Sequence, residues 1–64
     1  MYFECIKSFQ LDGGSFPIME GEKFRLVDKD ELLFESIEGF SINPKREFYL
    51  TNKQLADNFK FLYV

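Results

Sequence analysis

Lys23-Phe24-Arg25-Leu26-Val27-Asp28 alternates charged and apolar side chains over its first four residues. Successive strand side chains point to opposite faces. The period of two therefore predicts a strand with Phe24 and Leu26 inward and Lys23 and Arg25 outward. Glu47-Phe48-Tyr49-Leu50 repeats the pattern, with Phe48 and Leu50 inward and Tyr49 facing away. Residues 2–9 read as a further strand, in which Phe3, Cys5 and Phe9 share one face and Lys7 interrupts it. Residues 32–38 read as another, apolar on parts of both faces, until Gly39 breaks it. Phe40-Ser41-Ile42 resumes the alternation.

Turn chemistry separates these runs. Asp12-Gly13-Gly14-Ser15 is a loop signal, because glycine accepts positive φ. Pro17 cannot donate to a ladder, so it belongs at a sheet edge or in an irregular loop. Glu20-Gly21-Glu22, Asp28-Lys29-Asp30-Glu31 and Asn43-Pro44-Lys45-Arg46 read as turns. Thr51-Asn52-Lys53-Gln54 has the form of a capping box, with Thr at the N-cap and Gln three residues on. Leu55, Phe59 and Leu62 then fall at i, i+4 and i+7, which is compatible with one helix to the C-terminus. Phe59, Phe61 and Tyr63 also fall at period two in a segment of high β propensity. The preferred reading is a short helix over residues 52–58 and a closing strand.

Five or six short strands in an open sheet would expose long apolar edges, and closure into a small barrel removes them. The expected architecture is one mostly β domain over residues 1–64. It is a five- to six-stranded barrel with one short helix before its last strand. A long first loop (residues 10–22) and a single helical turn before the closing strand resemble the SH3-like barrels. The chain also resembles short proteins encoded by phages and prophages of Gram-positive bacteria. That likeness lies in Phe3-Glu4-Cys5-Ile6-Lys7-Ser8-Phe9, in Glu20-Gly21-Glu22-Lys23-Phe24, and in Phe48-Tyr49-Leu50-Thr51 followed by Leu55 and Phe59. These are core and turn positions. The resemblance implies a fold and a mobile-element origin, and it assigns no chemistry, since most such proteins have no known activity.

Composition narrows the function classes. The 64 residues are 45% hydrophobic and include nine Phe, which fits a packed core rather than a disordered chain. There is no His and one Cys, so His-based catalysis, Cys/His zinc sites and an internal disulfide are all excluded. A lone thiol in so small a domain points to a reducing cytoplasm. No apolar run approaches a membrane span, and the N-terminus lacks the form of a signal peptide. Starting at Met1, the chain reads as a complete short gene product. Cys5, among Phe3 and Ile6, reads as a buried and inert thiol without a histidine to activate it. A domain of this size has little room for a catalytic pocket. The expectation is a non-enzymatic protein without cofactor or metal.

Charge supplies the remaining candidates. The net charge of −3 disfavours a general nucleic-acid binder. Residues 20–38 hold seven acids against three bases, a net of −4, whereas the rest holds four acids against five bases. Glu20, Glu22, Asp28, Asp30, Glu31, Glu35 and Glu38 are the candidate contacts for a protein partner with a basic surface. The plain alternative is a solvated face whose charges discourage edge pairing. Asp28, Asp30 and Glu31 depart from the calcium-loop spacing and read as a hairpin turn. Tyr2, Tyr49 and Tyr63 offer an aromatic patch of the kind that binds peptides, with Tyr49 facing away from Phe48 and Leu50, and the plain alternative is partial burial with each hydroxyl in water. Lys45, Arg46, Lys53 and Lys60 form a thin basic strip. The leading expectation is a phage or prophage accessory protein that binds a host or phage protein. The alternatives are a nucleic-acid-associated accessory protein and a structural virion or assembly component.

Overall fold

The computed structural model describes residues 1–11, 17–37 and 45–62. Within them the chain is mostly β: β1 (Tyr2–Cys5), β2 (Phe9–Gln10), β3 (Pro17–Ile18), β4 (Lys23–Asp28), β5 (Leu33–Ser36), β6 (Glu47–Tyr49), α1 (Asn52–Asn58) and β7 (Phe59–Leu62). Five strands form an antiparallel sheet in the order β6-β5-β4-β1-β7, and β2 pairs with β3 in a separate ribbon. The sheet is not closed among the described residues, with β6 and β7 at its two ends. Gly39, the alternation at Phe40 to Ile42 and the Asn43-Pro44 half of the turn lie outside the described residues.

The strand predicted over residues 2–9 is two strands. Continuing β1 would aim Lys7 at the core behind Phe3 and Cys5, and burying an unpaired ammonium is costly. The chain bends at Ile6 and Lys7 instead and re-forms as β2, where Phe9 pairs with Ile18. Pro17 sits opposite Gln10 in this two-stranded ribbon, a position that tolerates a missing donor. Of the strand expected over 32–38, β5 covers Leu33–Ser36: Leu32, with a φ of +53°, stays in the turn before it, and Glu38 lies outside the described residues. The carbonyl of Leu32 still accepts from Leu50 N–H at 3.0 Å, so the hairpin turn is held against the end of β6.

The inner face follows the alternation. Cys5, Ile18, Phe24, Phe34, Phe48, Leu50 and Phe59 are buried, and Phe3, Phe9, Leu11, Leu26, Leu32 and Leu55 pack around them. Leu26, expected inward, and Leu55 are therefore peripheral to it. Phe24 meets Phe48 edge-on at 4.9 Å, and Phe34 stacks on Phe48 and Phe59 at 6.1 and 6.2 Å. Such ring pairs add to simple area burial. At α1 the capping box forms as predicted. Thr51 Oγ1 accepts from Gln54 N–H at 3.1 Å, and Gln54 Oε1 accepts from Thr51 N–H at 2.9 Å. The helix ends at Asn58, and Phe59 then turns its ring into the core as β7 begins.

Candidate interaction surface

The seven acidic candidates do not form one face. Glu22 is fully buried, so it is not a contact for a partner. The cause is visible in the alternation. Glu22 lies two residues before Phe24 and four before Leu26, on the inward parity of that strand. Its carboxylate accepts from Met19 N–H at 2.7 Å and from Arg46 Nη2 at 3.3 Å. Arg46 obeys the same rule, two residues before Phe48 and four before Leu50. Its Nη2 also donates to Pro17 O at 3.0 Å, and its backbone N–H donates to Ser36 Oγ at 3.1 Å. Arg46 Nε and Nη1 are buried without a hydrogen-bond partner among the described residues. The ion pair thus clips the end of β6 to the turn between β3 and β4. Reading the two parities one step beyond the apolar residues finds this pair in the sequence.

Glu20 is exposed and lies at the opposite end of β4 from Asp28, about 20 Å away along the strand. Its N–H donates to Ser8 Oγ at 2.8 Å. Glu35 is half-buried and bonded to Arg25. Glu38 lies outside the described residues. Asp30 and Glu31 are exposed in the β4–β5 turn, where Asp28 Oδ1 accepts from Asp30 N–H at 2.9 Å.

Cross-strand partners share a face, so the register assembles the outer surface directly. One row runs Leu62, Tyr2, Arg25, Glu35, Glu47. A β-bulge between Leu26 and Asp28 changes the parity of β4, which places Asp28 opposite Leu33, itself opposite Tyr49. The second row is therefore Asp28, Leu33, Tyr49, with Asp30 and Glu31 in the adjoining turn. Tyr49 is 60% exposed. Tyr2 is half-buried on the same face and separated from Tyr49 by β4 and β5, and Tyr63 lies outside the described residues. The three tyrosines do not gather into one patch among the described residues.

The basic strip disperses. Arg46 is turned inward, Lys53 pairs with Asp57 at 3.0 Å, and Lys60 lies 3.9 Å from Glu4. Lys45 lines an open cleft of 480 Å³ together with Glu35, Arg46 and Glu47. A smaller cleft of 190 Å³ shares Glu35 and Lys45 and adds Tyr2, Arg25, Ser36 and Ile37. The larger cleft reaches the size of small-molecule sites, contrary to the expectation for so short a chain, but it is open and its lining charges balance. The Cys5 thiol donates to Lys7 O at 3.3 Å. Burial, reinforced by Glu22, Glu20 and Glu4, pushes its pKa above the ordinary value, so it stays protonated. Among the described residues no helix is long and apolar enough to cross a membrane.

Compared with family models, curated proteins and solved structures, the chain shows no match.

Proposed function

We propose that the chain is a non-enzymatic protein-interaction module. In this reading it is a phage or prophage accessory protein that acts in the cytoplasm on a host or phage protein with a basic surface. The observation that carries this reading is the outer row Asp28, Leu33, Tyr49 beside the exposed Asp30 and Glu31. A largely exposed tyrosine next to a turn that holds Asp28, Asp30 and Glu31 against Lys29 is an anchor with a charged rim, the arrangement that protein interfaces use. The strand order, the ribbon within the long first connection and the single helix before the last strand support an SH3-like barrel. The protonated, buried thiol and the open, charge-balanced clefts support a binding role over a catalytic one.

The test compares the parent with a variant carrying Asp30→Lys, Glu31→Lys and Tyr49→Ala as bait for host or phage proteins. These side chains are exposed, so the variant should keep its fold. Proteins retained by the parent and lost by the variant support the reading. Equal retention by both would move the contact elsewhere. Capture of nucleic acid that falls steeply with salt would transfer the function to the nucleic-acid alternative.

A further inference from the structure

We infer that β6 is a docking edge at which an extended, basic peptide segment of a partner adds as a sixth strand. The inference rests on the proposed basic partner and adds the mode of its recognition.

The backbone bonds of the β5–β6 ladder fix which groups of β6 point outward. Ser36 N–H donates to Arg46 O at 3.0 Å, and Leu50 N–H donates to Leu32 O at 3.0 Å. Antiparallel pairs alternate between bonded and non-bonded, so Phe34–Phe48 is bonded and Glu35–Glu47 and Leu33–Tyr49 are not. The N–H and C=O groups of Glu47 and Tyr49 therefore point away from β5. No described residue bonds to them there. One step further, Thr51 N–H is taken by Gln54 Oε1, which closes the donor row at that end. The result is a short edge of two residues with four free backbone groups, bounded by the helix cap. It suits strand addition, in which main-chain bonds supply affinity and alternate side chains supply specificity.

Charge selects the occupant. Glu47 faces Glu35 directly across the ladder, a like-charge pair that is unfavourable by itself. Arg25 is bonded to Glu35 and lies on its far side, and among the described residues Glu47 forms no ion pair within 4 Å, with Lys45 the cation that shares its cleft. A strand added beside β6 puts its own side chain opposite Glu47 on the outer face, and a lysine or arginine there completes an alternating row. The next residue on that face meets the exposed Tyr49 ring, which accepts an aliphatic stem or a cation. A second copy with Phe48 on the two-fold axis would place Tyr49, not a cation, opposite Glu47, and only the register with Arg46 on the axis would place Lys45 there, a dimer that the concentration dependence below separates from a peptide strand.

The probe is a nine-residue peptide alternating lysine and valine, read by fluorescence anisotropy at low salt and by amide exchange of Glu47 and Tyr49. The same peptide with glutamate for lysine, and the lysine peptide N-methylated at alternate amides, are the comparisons. The lysine peptide should bind, slow exchange at both amides at least tenfold, and lose at least tenfold in affinity on N-methylation. Tyr49→Pro removes an outward donor and no ladder bond, and should cost a similar factor. Glu47→Lys should do likewise with the edge intact.

An N-methylated peptide that binds as well as its parent, or unprotected amides at Glu47 and Tyr49 in the complex, would overturn strand addition while leaving the acidic surface as the contact. Absence of any preference for lysine over glutamate would overturn both readings. Protection of these amides in the free protein, rising with its concentration, would assign the edge to a second copy instead.

Discussion

Replacing Arg46 with methionine should destabilise the protein more than replacing Glu22 with leucine, although the two residues form one ion pair. The asymmetry comes from access to water. The Glu22 side chain is 0% exposed, whereas that of Arg46 is 16% exposed. Without Arg46, a carboxylate is left in the interior with its charge uncompensated, at a cost of about 3–5 kcal/mol. Without Glu22, the guanidinium keeps its bond to Pro17 O and can shift toward the open cleft, so the cost is about 1–3 kcal/mol. Losing Glu22 also strips Met19 N–H of its acceptor, but that loss is common to the single and double variants and cancels in a double-mutant cycle. The double variant Glu22→Leu with Arg46→Met should then recover about 1–3 kcal/mol relative to the sum of the singles. A domain of this size has a total stability of roughly 3–10 kcal/mol, so Arg46→Met alone approaches the folding limit. Urea unfolding followed by far-ultraviolet circular dichroism measures all four proteins, with an osmolyte added where a variant is unfolded in water. Additive costs, or a Glu22→Leu loss as large as that of Arg46→Met, would refute this account of the pair.

Thr51→Ala should lower stability by about 1 kcal/mol, because it removes the hydroxyl half of the capping box, and an unchanged urea midpoint would count against it. Cys5 should resist iodoacetamide at pH 8 until the protein unfolds, and rapid labelling of the native state would show the thiol to be accessible. Its raised folded pKa stabilises the protein below the titration of the unfolded thiol, near the ordinary value of 9.0. That contribution is lost as pH climbs from there through the folded value, so the urea midpoint should fall above about pH 9 and Cys5→Ala should flatten the fall.

Period two is readable at Phe24, Leu26, Phe48 and Leu50 because one face of each strand is buried, and burial is what the pattern records. The helix start is readable because a capping box is a local device whose bonds span three residues. The break after Cys5 is foreshadowed by Lys7 on the apolar parity, but a single charge does not say whether the chain bends or the residue finds a partner. The start of β5 at Leu33 rather than Leu32 depends on a leucine with positive φ, a conformation its side chain disfavours. The acidic segment is harder still. Counting its charges treats all seven as solvated, whereas the register sends Glu22 inward, bonds Glu35 to Arg25, and turns Asp28 outward through a bulge. Charge pairing across strands is not a property of the local sequence, so the outer surface emerges only once the strand order is in place.

Register also gives the buried pair a role that its stability cost does not. β6 has three residues, of which Phe48 alone is buried against β5. A slip of one residue would turn Phe48 and Leu50 outward, as for any half-buried strand. In one direction the slip would also put Glu47 where Arg46 stands, so that two carboxylates would meet in the interior beside Glu22, whereas in the other direction it would put Lys45 there. The first of these is disfavoured far more strongly than a slip that merely loses apolar burial, because like charges out of water repel at close range. The same alignment holds the backbone groups of Glu47 and Tyr49 at the open edge. In the double variant Glu22→Leu with Arg46→Met, stability should return further than uniqueness does. A second set of amide resonances for residues 47–50 is the expected sign. A single sharp set, identical in dispersion to that of the parent, would show that Phe48 and Leu50 specify the register alone.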